Sequence, residues 1–136
     1  MGFMNRRFVY PVAALVLLVG SGAGGGLAQG PTTNDGVYTT EQAAKGKALY
    51  AEVCETCHQA AQFAGAEFNR AYAERPLSEI LASMAEMPPD NPGSLTAEQF
   101  ATLIAYFLEM NQYPAGSTPL GGEVDALRRI MVSPRP

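Results

Sequence analysis

Both cysteines and the only histidine of this chain fall within five consecutive positions, Cys54-Glu55-Thr56-Cys57-His58. Any fold the chain adopts has to accommodate whatever these three side chains hold, because no other cysteine or histidine exists to help them. A structural zinc site needs four ligands of Cys, His or carboxylate type, and only three soft ones are present here. A thioredoxin-like redox pair belongs in a βαβ context, and no strand alternation accompanies the motif. A disulfide between Cys54 and Cys57 is sterically tight and leaves His58 unexplained. The C-x-x-C-H spacing fits a fourth use best, the attachment of c-type haem. Two thiols at this spacing reach the two vinyl groups on one side of a porphyrin, and the imidazole that follows reaches the iron.

The start of the chain bears on the redox compartment. Arg6 and Arg7 precede an apolar run from Phe8 to Val19, and Gly26-Leu27-Ala28 places small residues where a signal peptidase reads. Residues 1–28 are therefore expected to be a secretory signal peptide cut after Ala28. The alternative is an uncleaved anchor, disfavoured by the glycine-rich second half of the segment. Roughly 100 residues remain after Ala28, enough for one hydrophobic core. Losing Arg6 and Arg7 leaves seven basic residues against 13 acidic ones, so the net charge deepens from −4 to about −6. Without a basic patch, nucleic acid is excluded as a partner. An exported protein with both cysteines committed to haem has none left for a disulfide.

Residues 29–38 read as a polar, flexible leader punctuated by Gly and Pro. Thr39 and Gln42 then fit a capping box, opening a helix whose apolar side holds Ala43, Gly46, Ala48, Leu49, Tyr50 and Val53. Residues 59–75 are weakly periodic and suit loop mixed with short helix. Pro76 suits the first turn of the next helix, with Leu77, Ile80, Leu81 and Met84 on one face and Pro88-Pro89 beyond its end. The strongest pattern is the last main helix. Thr96 and Gln99 make a capping box, and Phe100, Leu103, Ile104, Phe107 and Leu108 recur at helical spacing. Residues 123–130 suit one or two terminal turns, and 133–136 a disordered end. The fold class expected is all-α, with three main helices and long loops around one haem.

A sole histidine rules out bis-histidine ligation, so the sixth iron ligand must be another residue, and methionine is the usual partner in electron-carrying c haems. Met1 and Met4 leave with the signal, Met131 lies in the tail and Met110 near the end of the last main helix. Met84 shares an apolar face and reads as core. Met87 stands at a helix end against Pro88-Pro89, where a thioether can be held toward a metal. The candidate site is thus Cys54 and Cys57 for covalent haem, His58 as proximal ligand and Met87 as distal ligand.

These features resemble the class I, monohaem c-type cytochromes. Gly46, Tyr50 and Cys54 lie four apart, as do that family's first-helix glycine, aromatic residue and first haem cysteine. The stretch "LIAYFL", with Leu103 and Tyr106, is similar to the family's last helix, and "MPPDNPGSLT" to its distal-ligand loop. The resemblance implies that the two helices cross closely, Gly46 admitting the ring of Tyr106, and it carries the methionine role onto Met87. A narrower likeness, in the loop and tail residues from Pro92 to Ile130, is to small cytochromes of periplasmic quinoprotein dehydrogenases. One departure stands out. The family usually has a proline about a dozen residues after the histidine, whose carbonyl orients the imidazole, and none occurs between His58 and Pro76.

The function implied is that of a periplasmic, monomeric electron carrier, not an enzyme, with a dehydrogenase as donor and an oxidase or another cytochrome as acceptor. The alternatives are a dedicated electron-accepting subunit of a dehydrogenase and, further off, a haem peroxidase. Membrane contact is expected only if the N-terminal segment is retained. N-terminal sequencing of the exported protein should begin at Gln29; a membrane-bound chain still carrying Arg6 and Arg7 would mark the anchor instead.

Overall fold

The computed structural model describes residues 1–2 and 30–135, so all but the first two residues of the export signal expected over 1–28 lie outside the described residues, as does Pro136. Among the described residues five α-helices follow one another: α1 (Thr40–Val53), α2 (Ala66–Tyr72), α3 (Ser78–Met84), α4 (Ala97–Met110) and α5 (Val124–Leu127). Two 3-10 turns, Thr33–Asp35 and Ala60–Phe63, precede α1 and α2. No strand forms among the described residues, only two isolated bridges, and the fold is all-α. No described helix is long and apolar enough to cross a membrane.

The pattern that builds α4 is read correctly from the sequence. Thr96 Oγ1 accepts from the Gln99 amide while Gln99 Oε1 accepts from the Thr96 amide, closing the capping box. Phe100, Leu103, Ile104, Phe107 and Leu108 are all buried. In α3 the start shifts: Pro76 and Leu77 precede the helix, and the first turn is made by Ser78 and Glu79. Leu77 and Ile80 are fully buried, with Leu81 and Met84 packed against the core edge.

Helix α1 departs from its predicted pattern at two positions. Thr39 caps it through the Gln42 amide, but the Gln42 side chain does not return to complete a box. It is buried, donating from Nε2 to the Leu120 carbonyl and accepting at Oε1 from the Leu120 amide, both at 2.8 Å. A pair of buried amide bonds beats an exposed cap bond because leaving either Leu120 group unpaired inside the core would be costly. Ala48, assigned to the apolar side, faces solvent.

The helix pair α1 and α4 makes the largest contact in the fold. At its centre is Gly46. A β-carbon there would overlap the Thr102 carbonyl and approach the Tyr106 Cβ to 3.0 Å. The close crossing implied by the resemblance is therefore present, with the Thr102 backbone as the nearest obstacle and Tyr106 beside it.

Residues 29–38, read as a flexible leader, are instead part of the packed domain from Gly30 onward. Thr33 and Tyr38 are 0% and 1% exposed. The Thr33 amide donates to the Met131 carbonyl (2.9 Å), and the Met131 amide donates to that of Pro31 (3.0 Å). On the other side, Leu77 donates to Ile130, Glu74 to Val132, and Val132 to Arg75. Three short segments thus pair through residues 130–132. The end read as disordered is likewise tied down: the Ser133 amide donates to Thr33 Oγ1, and the Arg135 amide to Asn69 Oδ1. The Arg135 guanidinium lies 4.0 Å above the Tyr113 ring. Backbone pairing and buried polar side chains order these segments, and neither leaves a periodic apolar signature.

Gly46→Val should destabilise the protein strongly. Even a methyl requires the Thr102 backbone to move, and overpacking of this kind costs about 1–3 kcal/mol or more. Thermal unfolding of the haem-loaded protein measures it, and an unchanged midpoint would show that the crossing is looser than described.

Candidate functional site

The C-terminal end of α1 delivers the C-x-x-C-H motif. Cys54 caps the helix, its amide donating to the Tyr50 carbonyl, and the chain then makes a further turn. Within that turn the Cys57 and His58 amides both donate to the Cys54 carbonyl, at 3.1 and 2.9 Å. The continued helical turn keeps Cys54, Cys57 and His58 on one side of the chain, as i, i+3, i+4 spacing requires. Burial pushes the Cys54 thiol up, so it is a neutral thiol at neutral pH, while Cys57 is exposed.

These residues line a cavity of about 280 Å³. Its floor comes from α1 and α4 through Tyr50, Val53, Leu103 and Phe107. Further lining comes from the end of α3 and the loop after it: Ser83, Met84, Met87, Pro88, Pro89 and Leu95. The sequence assignment placed Met87 at the end of the helix; α3 instead stops at Met84, and Met87 lies three residues beyond it. The Met87 amide donates to the Met84 carbonyl in a closing turn, and a cis peptide joins Met87 to Pro88. Met84 and Met87 both reach the cavity. Met84 packs against the core, whereas Met87 is 38% exposed.

Several contributors to the site carry no sequence signal. Phe63, in the turn after the motif, meets the His58 ring edge-on at 5.6 Å and stacks on Phe107 at 5.1 Å. Phe63 is itself held by Asn111, the residue that ends α4. Asn111 Nδ2 donates to the Phe63 and Phe107 carbonyls, and Oδ1 accepts from the Gly65 amide at 2.8 Å. Tyr72 completes the wall from α2. Tyr50, placed in α1 by its apolar spacing, does more than pack. Its hydroxyl donates to the His58 carbonyl at 2.8 Å, and burial pushes its phenol up to about 12, so the donor proton stays in place at any physiological pH.

The donor chemistry of these walls fits a haem. Two cysteines, the histidine and two methionines line the same cavity, and the rest of the lining is mostly aliphatic and aromatic. Among the described residues no three His, Cys, Asp or Glu side chains are placed to hold a bare metal ion. Residues 41–107 match the family model described as cytochrome c oxidase, cbb3-type, subunit III. Those residues form a c-type cytochrome domain. It carries one covalent haem c and serves electron transport, with redox proteins as its partners. The matched span runs from the start of α1 to Phe107 in α4, so it takes in the cytochrome's motif, both methionines and the helix crossing. No curated protein and no solved structure matches the chain.

Asn111→Ala should loosen the cytochrome's floor. The Gly65 amide and the Phe63 carbonyl would lose their side-chain partner, at a cost of about 1–3 kcal/mol for buried groups left unpaired. Thermal or denaturant unfolding measures the loss, and a stability equal to that of the parent would mean that water replaces the amide without penalty.

Proposed function

We propose that this chain is a periplasmic cytochrome passing single electrons between redox proteins, with haem bound to Cys54 and Cys57 and iron held between His58 and Met87. The observation that carries this reading is the convergence of both cysteines, the sole histidine and two methionines on one apolar cavity. Haem c supplies a one-electron ferric–ferrous couple when bound.

The chain's own residues set the terms of that exchange. Cys54 and Cys57 would hold the haem covalently at the end of α1. His58 presents its imidazole from a backbone whose amide and carbonyl are both hydrogen-bonded. Met87 supports the distal role better than Met84. Its thioether reaches the cavity without being packed into the core, while Met84 is engaged with the core. Val53, Phe63, Leu95, Leu103 and Phe107 keep water from the interior, which limits the reorganisation that accompanies a change of charge. With His58 and Met87 both holding the iron, no open coordination would remain for substrate, which favours a carrier over a peroxidase. His/Met ligation favours the reduced state relative to bis-histidine ligation.

The export signal expected over residues 1–28 supports the periplasmic location. The acidic charge favours partners with basic docking faces. A dehydrogenase is the proposed donor, in keeping with the likeness of residues 92–130 to dehydrogenase-associated cytochromes. The oxidase named by the matching family supports an oxidase as acceptor.

Mass spectrometry of the denatured protein, made with a haem-attachment system, should give the polypeptide plus one haem; bare polypeptide would end this reading. Met87→Ala should abolish the near-infrared sulfur-to-iron band of the ferric protein, lower its potential and admit exogenous ligands. Met84→Ala should keep the band and lose less stability than the about 2–5 kcal/mol of a fully buried methionine. The reverse pattern would transfer the distal role to Met84.

A further inference from the structure

The His58 backbone is fixed from two directions. Its amide donates to the Cys54 carbonyl at 2.9 Å, which is ordinary helical bonding continued past the end of α1. Its carbonyl has no helical successor, since the chain turns away at Gln59 into the 3-10 turn Ala60–Phe63. The acceptor is satisfied by a side chain instead, the Tyr50 hydroxyl at 2.8 Å.

Tyr50 is itself immobilised. It is 3% exposed, its ring lies 5.6 Å from that of Tyr106, and it meets Phe63 and Phe107 edge-on at 6.3 and 5.9 Å. For packing alone a phenylalanine would serve, because those contacts are made by the ring. The hydroxyl has a separate task. It stands on the cavity wall and ends on the carbonyl of the residue proposed to bind iron. The imidazole has one further neighbour in Phe63, which limits its tilt but carries no hydrogen-bonding group.

We infer that Tyr50 is a positioning residue for the haem iron: its hydroxyl, through the His58 carbonyl, fixes the backbone from which the imidazole reaches the metal. The inference rests on the assignment of His58 as an iron ligand. With the bond in place, the His58 Cα cannot swing away from α1 without breaking it, so the imidazole plane keeps one orientation. Without it, the ring retains its packing against Phe63 while its base can shift.

The test is Tyr50→Phe in the haem-loaded protein, with Tyr106→Phe as control. Tyr106 belongs to the same aromatic cluster, and its loss removes a hydroxyl that does not bond to His58. Haem-methyl resonances of the ferric protein report the orientation of the imidazole plane, and amide exchange at His58 reports local opening. Tyr50→Phe should displace the haem-methyl resonances and speed His58 amide exchange by about 2- to 12-fold, the range of one net hydrogen bond. The near-infrared sulfur-to-iron band should persist, because the distal side is untouched, and Tyr106→Phe should leave both readouts at parent values. Haem-methyl shifts unaltered in Tyr50→Phe, or altered equally in Tyr106→Phe, would overturn the positioning role. Failure of the parent protein to carry haem on its cysteines would instead overturn the ligand assignment, and the mass measurement separates the two.

Discussion

The near-contact of α1 with the backbone of α4 at Gly46 governs the placement of every group around the cavity. Thr102 offers its carbonyl where a side chain would otherwise be, so the two helix axes approach as closely as two backbones can. One turn along α1 from that point is Tyr50, and one turn further is Cys54. On α4 the neighbouring positions are Leu103, Tyr106 and Phe107. Because the crossing point sets the relative height of the two helices, the motif at the end of α1 and the aromatic floor supplied by α4 come to one level. Dispersion and apolar burial then hold the arrangement, through the contacts of Tyr50, Phe63, Tyr106 and Phe107.

Polar side chains do the remaining work of closure, and they operate over long distances in sequence. Gln42 binds both backbone groups of Leu120, and Asn111 joins Phe63, Gly65 and Phe107. Each replaces a stretch of regular structure with a few hydrogen bonds inside a low-dielectric core, where such bonds are strong and unpaired groups are costly. Two long helices and three short ones, so joined, enclose the cavity.

The distinction between apolar periodicity and long-range polar pairing also explains what the sequence disclosed. Helix α4 was legible because five large apolar residues recur at its buried face, and its capping box is local. The C-x-x-C-H motif was legible because its chemistry is contained in five residues. Gln42 was misread because a Thr and a Gln three apart satisfy a local rule, and nothing nearby announces Leu120 as the competing partner. Thr33 was hidden for the same reason, its burial being secured by Met131 and Ser133 almost a hundred residues later. Phe63 and Asn111 lie in a weakly patterned stretch and at a helix end, positions from which sequence spacing cannot tell that one holds the other. Met84 and Met87 both face the cavity, as their separation by three residues and a closing turn allows.

The pairing of residues 31–33 with 130–132 has a mechanical consequence. The two segments run parallel at Thr32 and Met131, so the chain enters and leaves the domain in the same direction along neighbouring paths. Tension applied to the two ends would pull these segments past one another lengthwise. Their hydrogen bonds lie across that direction and would share the load in shear, instead of opening one after another as in a peeled hairpin. The third segment, 74–77, is bonded to the far side of 130–132 and leads directly into α3, which ends at Met84 with Met87 three residues beyond. Whatever strain reached the clasp between the termini would therefore be felt next at the wall of the cavity that holds the two thioethers.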